Sequence, residues 1–349
     1  MRRTIYLPFL GLALFTVFGN WSCSKANVSY LQSGDWVQAA AINGYPRSNA
    51  SSFVIGNTAY VGLGYNESTS GPYKNFRLTD FWSFNSDTGW TQLQDFPDTA
   101  RSNAASFSIG NYGYIGTGFD GIHRFSSFYQ YDVANGVWNK KADYAGGARY
   151  DAVGFAVGGK GYIGTGYSVY ALSDFYQYDP VNDTWSRTPG TDLNFSKRRG
   201  AVAFVHNDKA YVVTGSNNNA MVRDFWEFDP SQKAPWKPLA NITNTDPGTF
   251  DDGYTNIERE YASAFVINDK AYLVTGQNGS LVTATWEYDF NSGYWNQRTP
   301  YPRSPRQGSV AFTINNKSYV GLGGVSVGSS TTYDNMDIFN PDKVFNPND

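Results

Sequence analysis

The chain has 349 residues, a formal net charge of −3 and two histidines. No basic run follows its first residues, so the electrostatic footprint of a nucleic-acid binder is missing, and a single cysteine leaves no internal disulfide. Strand-favouring aromatics (26 Tyr, 24 Phe, 10 Trp) and 36 Gly point to an all-β chain with many turns.

At the N-terminus, Arg2 and Arg3 precede an apolar stretch from about Ile5 to Phe18, too short and too early for a spanning helix. It reads as an export signal. Cys23, the sole cysteine, follows it and resembles the lipidation site of bacterial lipoproteins, although Asn20 stands where such sites usually carry Leu. The resemblance implies a signal peptide over 1–22, a diacylated Cys23 as the new N-terminus, and a tether over 23–33. Ordinary cleavage nearby is the alternative. Either way the expected location is the periplasm or outer surface, with membrane contact only through the lipid anchor.

Next comes a short strand, Gly34-Asp35-Trp36-Val37, and after it one block repeated six times. Its marks are the tyrosines Tyr60, Tyr114, Tyr162, Tyr211, Tyr272 and Tyr319, spaced 47 to 61 residues apart. Four residues after each stands a glycine: Gly64, Gly118, Gly166, Gly215, Gly276, Gly323. Seven before each is a phenylalanine: Phe53, Phe107, Phe155, Phe204, Phe265, Phe312. Thirteen before each is an arginine: Arg47, Arg101, Arg149, Arg198, Arg259, Arg306. Within a block, an alternating strand, a two-residue polar turn such as Gly56-Asn57 and a return strand predict a hairpin. A third strand follows, as in Asp80 to Phe84. A fourth carries Trp90, Trp138, Trp185, Trp236 or Trp295. Four antiparallel strands at this period describe a propeller blade. The sixth block lacks its tryptophan strand, so the Trp36 strand is expected to complete that blade and close one domain over 34–349.

These marks resemble the Kelch repeat over about Gly34 to Asn340. Its double glycine is intact only at Gly323-Gly324. The resemblance implies a six-bladed β-propeller. Kelch-type propellers include copper-dependent galactose oxidases, but those need histidines and a cysteine cross-linked to a tyrosine. Here the one cysteine lies at the N-terminal export site, outside the repeats, so neither copper nor any other metal or cofactor is expected.

The six arginines admit two readings. A cationic ring at the mouth of the channel would attract anions. Their parity along the strand, shared with the phenylalanines, places them instead at blade–blade seams, paired with carboxylates such as Asp80, Asp174 and Asp224. The loops after the second strand share a face with those entering the first. They carry the expected ligand residues Tyr65, Tyr73, Phe119, His123, Tyr167, Tyr170, Asn217, Asn218, Arg223 and Gln277, with Asp252 and Tyr254 from the longest loop. That loop holds an acidic cluster (Asp246, Asp251, Asp252, Glu258), but its spacing matches no complete calcium loop. Flat aromatic faces with amides suit a glycan or protein ligand. This favours a monomeric, non-catalytic binding module.

The alternative is an enzyme resembling the Kelch-like sialic-acid mutarotases, in which a Glu follows a second-strand glycine and an Arg comes six residues later. Here Ser216 occupies the Glu place and Arg223 is displaced by one. The matching residues of the other blades, Tyr65, Phe119, Tyr167, Gln277 and Gly324, include no carboxylate. On this reading Arg223 would meet Glu67 or Asp252.

Overall fold

The computed structural model describes residues 33–67, 76–188, 195–243, 254, 257–326 and 331–346. They form six four-stranded antiparallel sheets, an all-β propeller. Blade 1 is built from Ser51–Ile55, Thr58–Gly62, Phe81–Asn85 and Gly89–Gln92, in that order from the axis outward. Blades 2 to 5 repeat this order, starting at Ala105, Val153, Val202 and Ser263. Blade 6 takes three strands from the C-terminal block (Val310–Ile314, Lys317–Gly321, Met336–Val344) and its outermost strand, Ser33–Ala39, from the start of the propeller. The first and last strands of the propeller pair with Trp36 opposite Phe339, so no sheet edge is left open at the join.

Local chemistry explains the hairpins. Asn207-Asp208, Asn268-Asp269, Asn315-Asn316 and Gly158-Gly159 have positive φ at both turn positions, which these residue types tolerate. Each repeat phenylalanine lies opposite its tyrosine in the register and stacks on it at 5.1–5.4 Å. The stack then presses on the next blade: a Cβ at Gly113 would sit 1.9 Å from the Phe53 ring. Outermost tryptophans tie neighbouring blades by hydrogen bonds. The indole N–H of Trp90 donates to Ala40 O, Trp138 to Gln94 O, Trp185 to Ala142 O and Trp36 to Thr299 O.

The first strands turn their small side chains inward and line an axial channel, with Ala50, Ala104, Ala152, Ala201, Ala262 and Ser309 near one end. At that end two closed rings of backbone hydrogen bonds join all six blades. In one, the repeat glycine of each blade donates its N–H to the carbonyl of the next blade's arginine (Gly64 to Arg101, and so on round to Gly323 to Arg47), at 2.7–2.9 Å. The glycines stand at φ 88–105°, and a Cβ at Gly64 would come within 2.8 Å of Ser48 O, so this position requires glycine.

The second ring lies two residues past each arginine. Asn103 donates to Asn49, Asp151 to Asn103, Gly200 to Asp151, Tyr261 to Gly200, Gly308 to Tyr261 and Asn49 to Gly308, at 2.7–3.2 Å. All six residues are left-handed, at φ 53–60°.

Candidate functional site

The register arginines are at most 1% exposed. Each donates from Nη1 to the carbonyl sixteen residues on, at 2.8–3.2 Å. Burying a guanidinium demands compensation. Arg47 forms a two-pronged pair with Asp80 at 2.5 and 2.7 Å, Arg149 pairs with Asp174 at 2.6 Å, and Arg198 pairs with Asp224. Blade 2 has Ser127 at that place, and Arg101 takes Asp98 instead, at 2.6 Å. In blades 5 and 6 the places are held by Ala284, whose carbonyl accepts from Arg259, and by Asn335, whose Oδ1 accepts from Arg306. None of the six presents its guanidinium to solvent.

The residue after each arginine is bridged to the residue after each repeat glycine: Ser48 with Tyr65, Ser102 with Phe119, Tyr150 with Tyr167, Arg199 with Ser216, Glu260 with Gln277, Gln307 with Gly324. These pairs build a funnel above the second backbone ring. Its two halves differ in chemistry.

Blades 1 to 4 supply a wall of arginines on aromatic faces. Arg77 lies 4.9 Å over Tyr65 and 5.6 Å over Phe119, and Phe119 stacks on Tyr150 at 4.9 Å. Tyr150 meets Tyr167 edge-on, and both Arg199 (5.3 Å) and Arg124 (6.0 Å) lie over Tyr167. Guanidinium on a ring face is favourable, and the stacking fixes each cation's orientation. Blade 5 supplies the opposing half. Glu260, 6% exposed, receives Gln277 Nε2 at 2.7 Å on Oε1 and the Ser216 hydroxyl on Oε2.

Between the halves, at the funnel floor, is Asp151. It accepts from Asn103 Nδ2 at 2.5 Å and from the Tyr261 hydroxyl at 2.8 Å. Burial pushes its carboxyl up to about 6, with the Glu260 charge adding to this; the bonds from Tyr261 and Asn103 and the Arg199 charge pull the other way. Burial alone would pull Arg199 down, but Tyr261, Asp151, Glu260 and Tyr150 more than offset that and hold it above its ordinary value. Burial also raises the Tyr261 hydroxyl, as do the Asp151 and Glu260 charges, against the pull of Arg199. Asp151 and Tyr261 line a cavity of about 150 Å³ that opens the axial channel.

Several loop residues expected at the site do meet here: Tyr65, Phe119, Tyr167 and Gln277. The rest are elsewhere. His123 is exposed and turns its ring to Asp120 at 3.2 Å. Tyr170 stands 58% exposed beside Lys197. Asn217 and Asn218 belong to a small ribbon, Ser216–Asn217 with Ala220–Met221, and its turn. Arg223 is exposed and pairs with Glu258 at 3.2 Å, rather than with Glu67. Tyr254 is buried in the core beside Trp286, and its hydroxyl accepts the N–H of Trp295. Tyr73, Asp252 and Cys23 lie outside the described residues. Among the described residues no group of three or more His, Cys, Asp or Glu converges as a metal site would require.

Sequence reasoning missed Arg77, Arg124, Tyr150, Asp151, Arg199, Glu260 and Tyr261. The signal for most of them was in register: the two residues following each arginine read Ser-Asn, Ser-Asn, Tyr-Asp, Arg-Gly, Glu-Tyr and Gln-Gly. They vary in chemistry where every flanking mark repeats.

The fold and funnel define a class: a six-bladed propeller with an arginine–aromatic wall facing a carboxylate at one mouth of its channel. No protein-family model matches the chain, so the Kelch resemblance rests on the repeat marks alone, and no curated protein matches it in sequence. Among solved structures, that of YjhT is similar, with a TM-score of 0.69 over 85% of this chain and 95% of that one at 17% identity. At that identity the likeness is one of fold.

Proposed function

We propose that the funnel binds a small acidic sugar and speeds exchange between its anomers, in the manner of the mutarotase-type propellers. The observation that carries this reading is Glu260. The sequence argument against catalysis was that no carboxylate follows a second-strand glycine, and Ser216 stood in that place. Glu260 reaches the place from the next blade, held by Ser216 and Gln277. Anomer exchange needs a group that takes the proton of the anomeric hydroxyl as the ring opens, and a fixed carboxylate suits that task. Arg199 and Arg124, held over the Tyr167 ring, supply counter-charge for a sugar carboxylate.

The test is anomer exchange of free sialic acid followed by NMR. Acceleration by the native protein, lost in Glu260→Gln while affinity stays within about threefold, is the expected result. Binding without exchange would return the protein to the class of non-catalytic glycan modules. The export-like N-terminus supports a place at the cell envelope, and mass spectrometry of the mature terminus tests acylation at Cys23.

A further inference from the structure

Five of the six residues in the second backbone ring are Asn, Asp or Gly, the types that enter the left-handed region at little cost. The sixth is Tyr261, at φ 53°. A bulky side chain there is strained by about 1 kcal/mol or more, and nothing in the ring itself needs an aromatic, since Gly200 and Gly308 make the same backbone bonds. What the strain secures is a direction. Tyr261 of blade 5 reaches past blade 4 and sets its hydroxyl 2.8 Å from Asp151 of blade 3. It lines the cavity at the funnel floor and is one residue from Glu260, whose charge it feels together with that of Arg199.

Ring opening of a sugar hemiketal moves two protons. Glu260 accounts for the one leaving the anomeric hydroxyl. Resting on that reading, we propose that Tyr261 is the acid of the reaction, protonating the ring oxygen, and that Asp151 is the positioning residue that resupplies its proton.

The step balances. As the carbon–oxygen bond of the ring breaks and the anomeric carbonyl forms, Glu260 gains the hydroxyl proton. With Asp151 protonated, its carboxyl donates across the 2.8 Å contact to the phenolic oxygen; the Tyr261 hydroxyl then turns its own proton to the ring oxygen, and the phenolic oxygen takes the one carried by Asp151. Closure on the other face reverses each transfer, and no oxidant or reductant is involved. Asp151 is suited to carrying that proton, because burial keeps its carboxyl partly protonated at pH values where an exposed aspartate is fully ionised. The groups facing it are Tyr261, Arg199, Asn103 and Glu260, each of which enters its titration.

The experiment measures exchange of free sialic acid across pH 5 to 8 for the native protein, Tyr261→Phe and Asp151→Asn, with affinity measured separately by calorimetry. Tyr261→Phe keeps the ring and its stacking area, and should lower kcat by about 100-fold or more with affinity within about threefold. Asp151→Asn keeps the shape and should flatten the fall in rate as pH rises through about 6. A Tyr261→Phe variant with the native rate would overturn the inference and leave the proposed function standing. A native protein that binds the sugar but leaves its anomer exchange at the uncatalysed rate would overturn both. If Tyr261→Phe proves unfolded by circular dichroism, the pH profile of Asp151→Asn decides alone: an unchanged profile overturns the relay.

Discussion

The Nη1 of Arg149 donates to the carbonyl of Thr165 at 2.9 Å, and Thr165 is left-handed, at φ 59°. A β-branched residue in that region is an outlier by itself. The same relationship recurs in every blade, at Leu63, Thr117, Thr214, Thr275 and Leu322, at φ 58–65°. The arginine therefore fixes the strained link that lets the second strand turn toward the funnel. Strain of this kind persists only where the surroundings over-determine it.

Arg149→Ala releases that link and leaves Asp174 facing a void. Removing one partner of a buried pair costs about 3–5 kcal/mol. The expected outcome is a large drop in the urea midpoint with sugar affinity nearly intact, because Arg149 is buried behind the funnel. Native-like stability with lost anion binding would instead assign this arginine to the ligand.

Closure of the ring depends on Ser33–Ala39. Trp36 is 3% exposed, packed edge-on against Tyr301 at 5.1 Å and against Phe339 at 4.7 Å. Trp36→Ala should cost about 3–5 kcal/mol in chemical unfolding. Deleting residues 24–40 should do more, leaving an unpaired strand edge that limited proteolysis would find. A truncated protein melting with full length would show that blade 6 holds without it.

Asp151 gives stability a pH dependence of unusual sign. Its carboxyl stands higher folded, at about 6, than unfolded, near 3.8. Its contribution is therefore fully present below the unfolded value and is lost as pH rises through about 6. Two units correspond to about 3 kcal/mol. Asp151→Asn, which mimics the neutral form, should gain stability relative to the native protein between pH 4 and 7. Unfolding curves at several pH values check this, and a constant difference would contradict it.

Tyr167 carries two cations, Arg199 and Arg124. Tyr167→Ala removes the ring that holds both. At about 0.5–1 kcal/mol for each of the two cation–aromatic contacts, affinity for an acidic sugar should fall roughly 5- to 30-fold. Titration calorimetry at two salt concentrations would measure it.

The frame was legible because it is written six times. Tyrosine, glycine, phenylalanine and arginine recur in phase, and the missing sixth tryptophan located the closing strand at Trp36. The carboxylate partners of Arg47, Arg149 and Arg198 were also readable, from the aspartates that open the third strands. The funnel was not, because function occupies the positions that do not repeat. Glu260 meets Ser216 across 44 residues, and Tyr261 meets Asp151 across 110. Neither contact follows from spacing within a block. Arg223 looked like a site residue because its sequence neighbourhood resembled one. Its side chain instead points outward to Glu258.

The two backbone rings run in opposite senses about the axis. Glycine N–H groups point forward to the next blade, and those of the inner ring point back to the previous one. A helix N-terminus attracts anions because its first donors are unspent. A circuit of bonds has no end, so neither ring leaves such a donor among its own members. The two rings are thus electrically mute toward a ligand, and among the described residues the polarity of the funnel is carried by side chains such as Arg199 and Glu260. Such a mouth can exchange one ligand chemistry for another by substitution at the two residues after each arginine, while the closed frame beneath stays as it is.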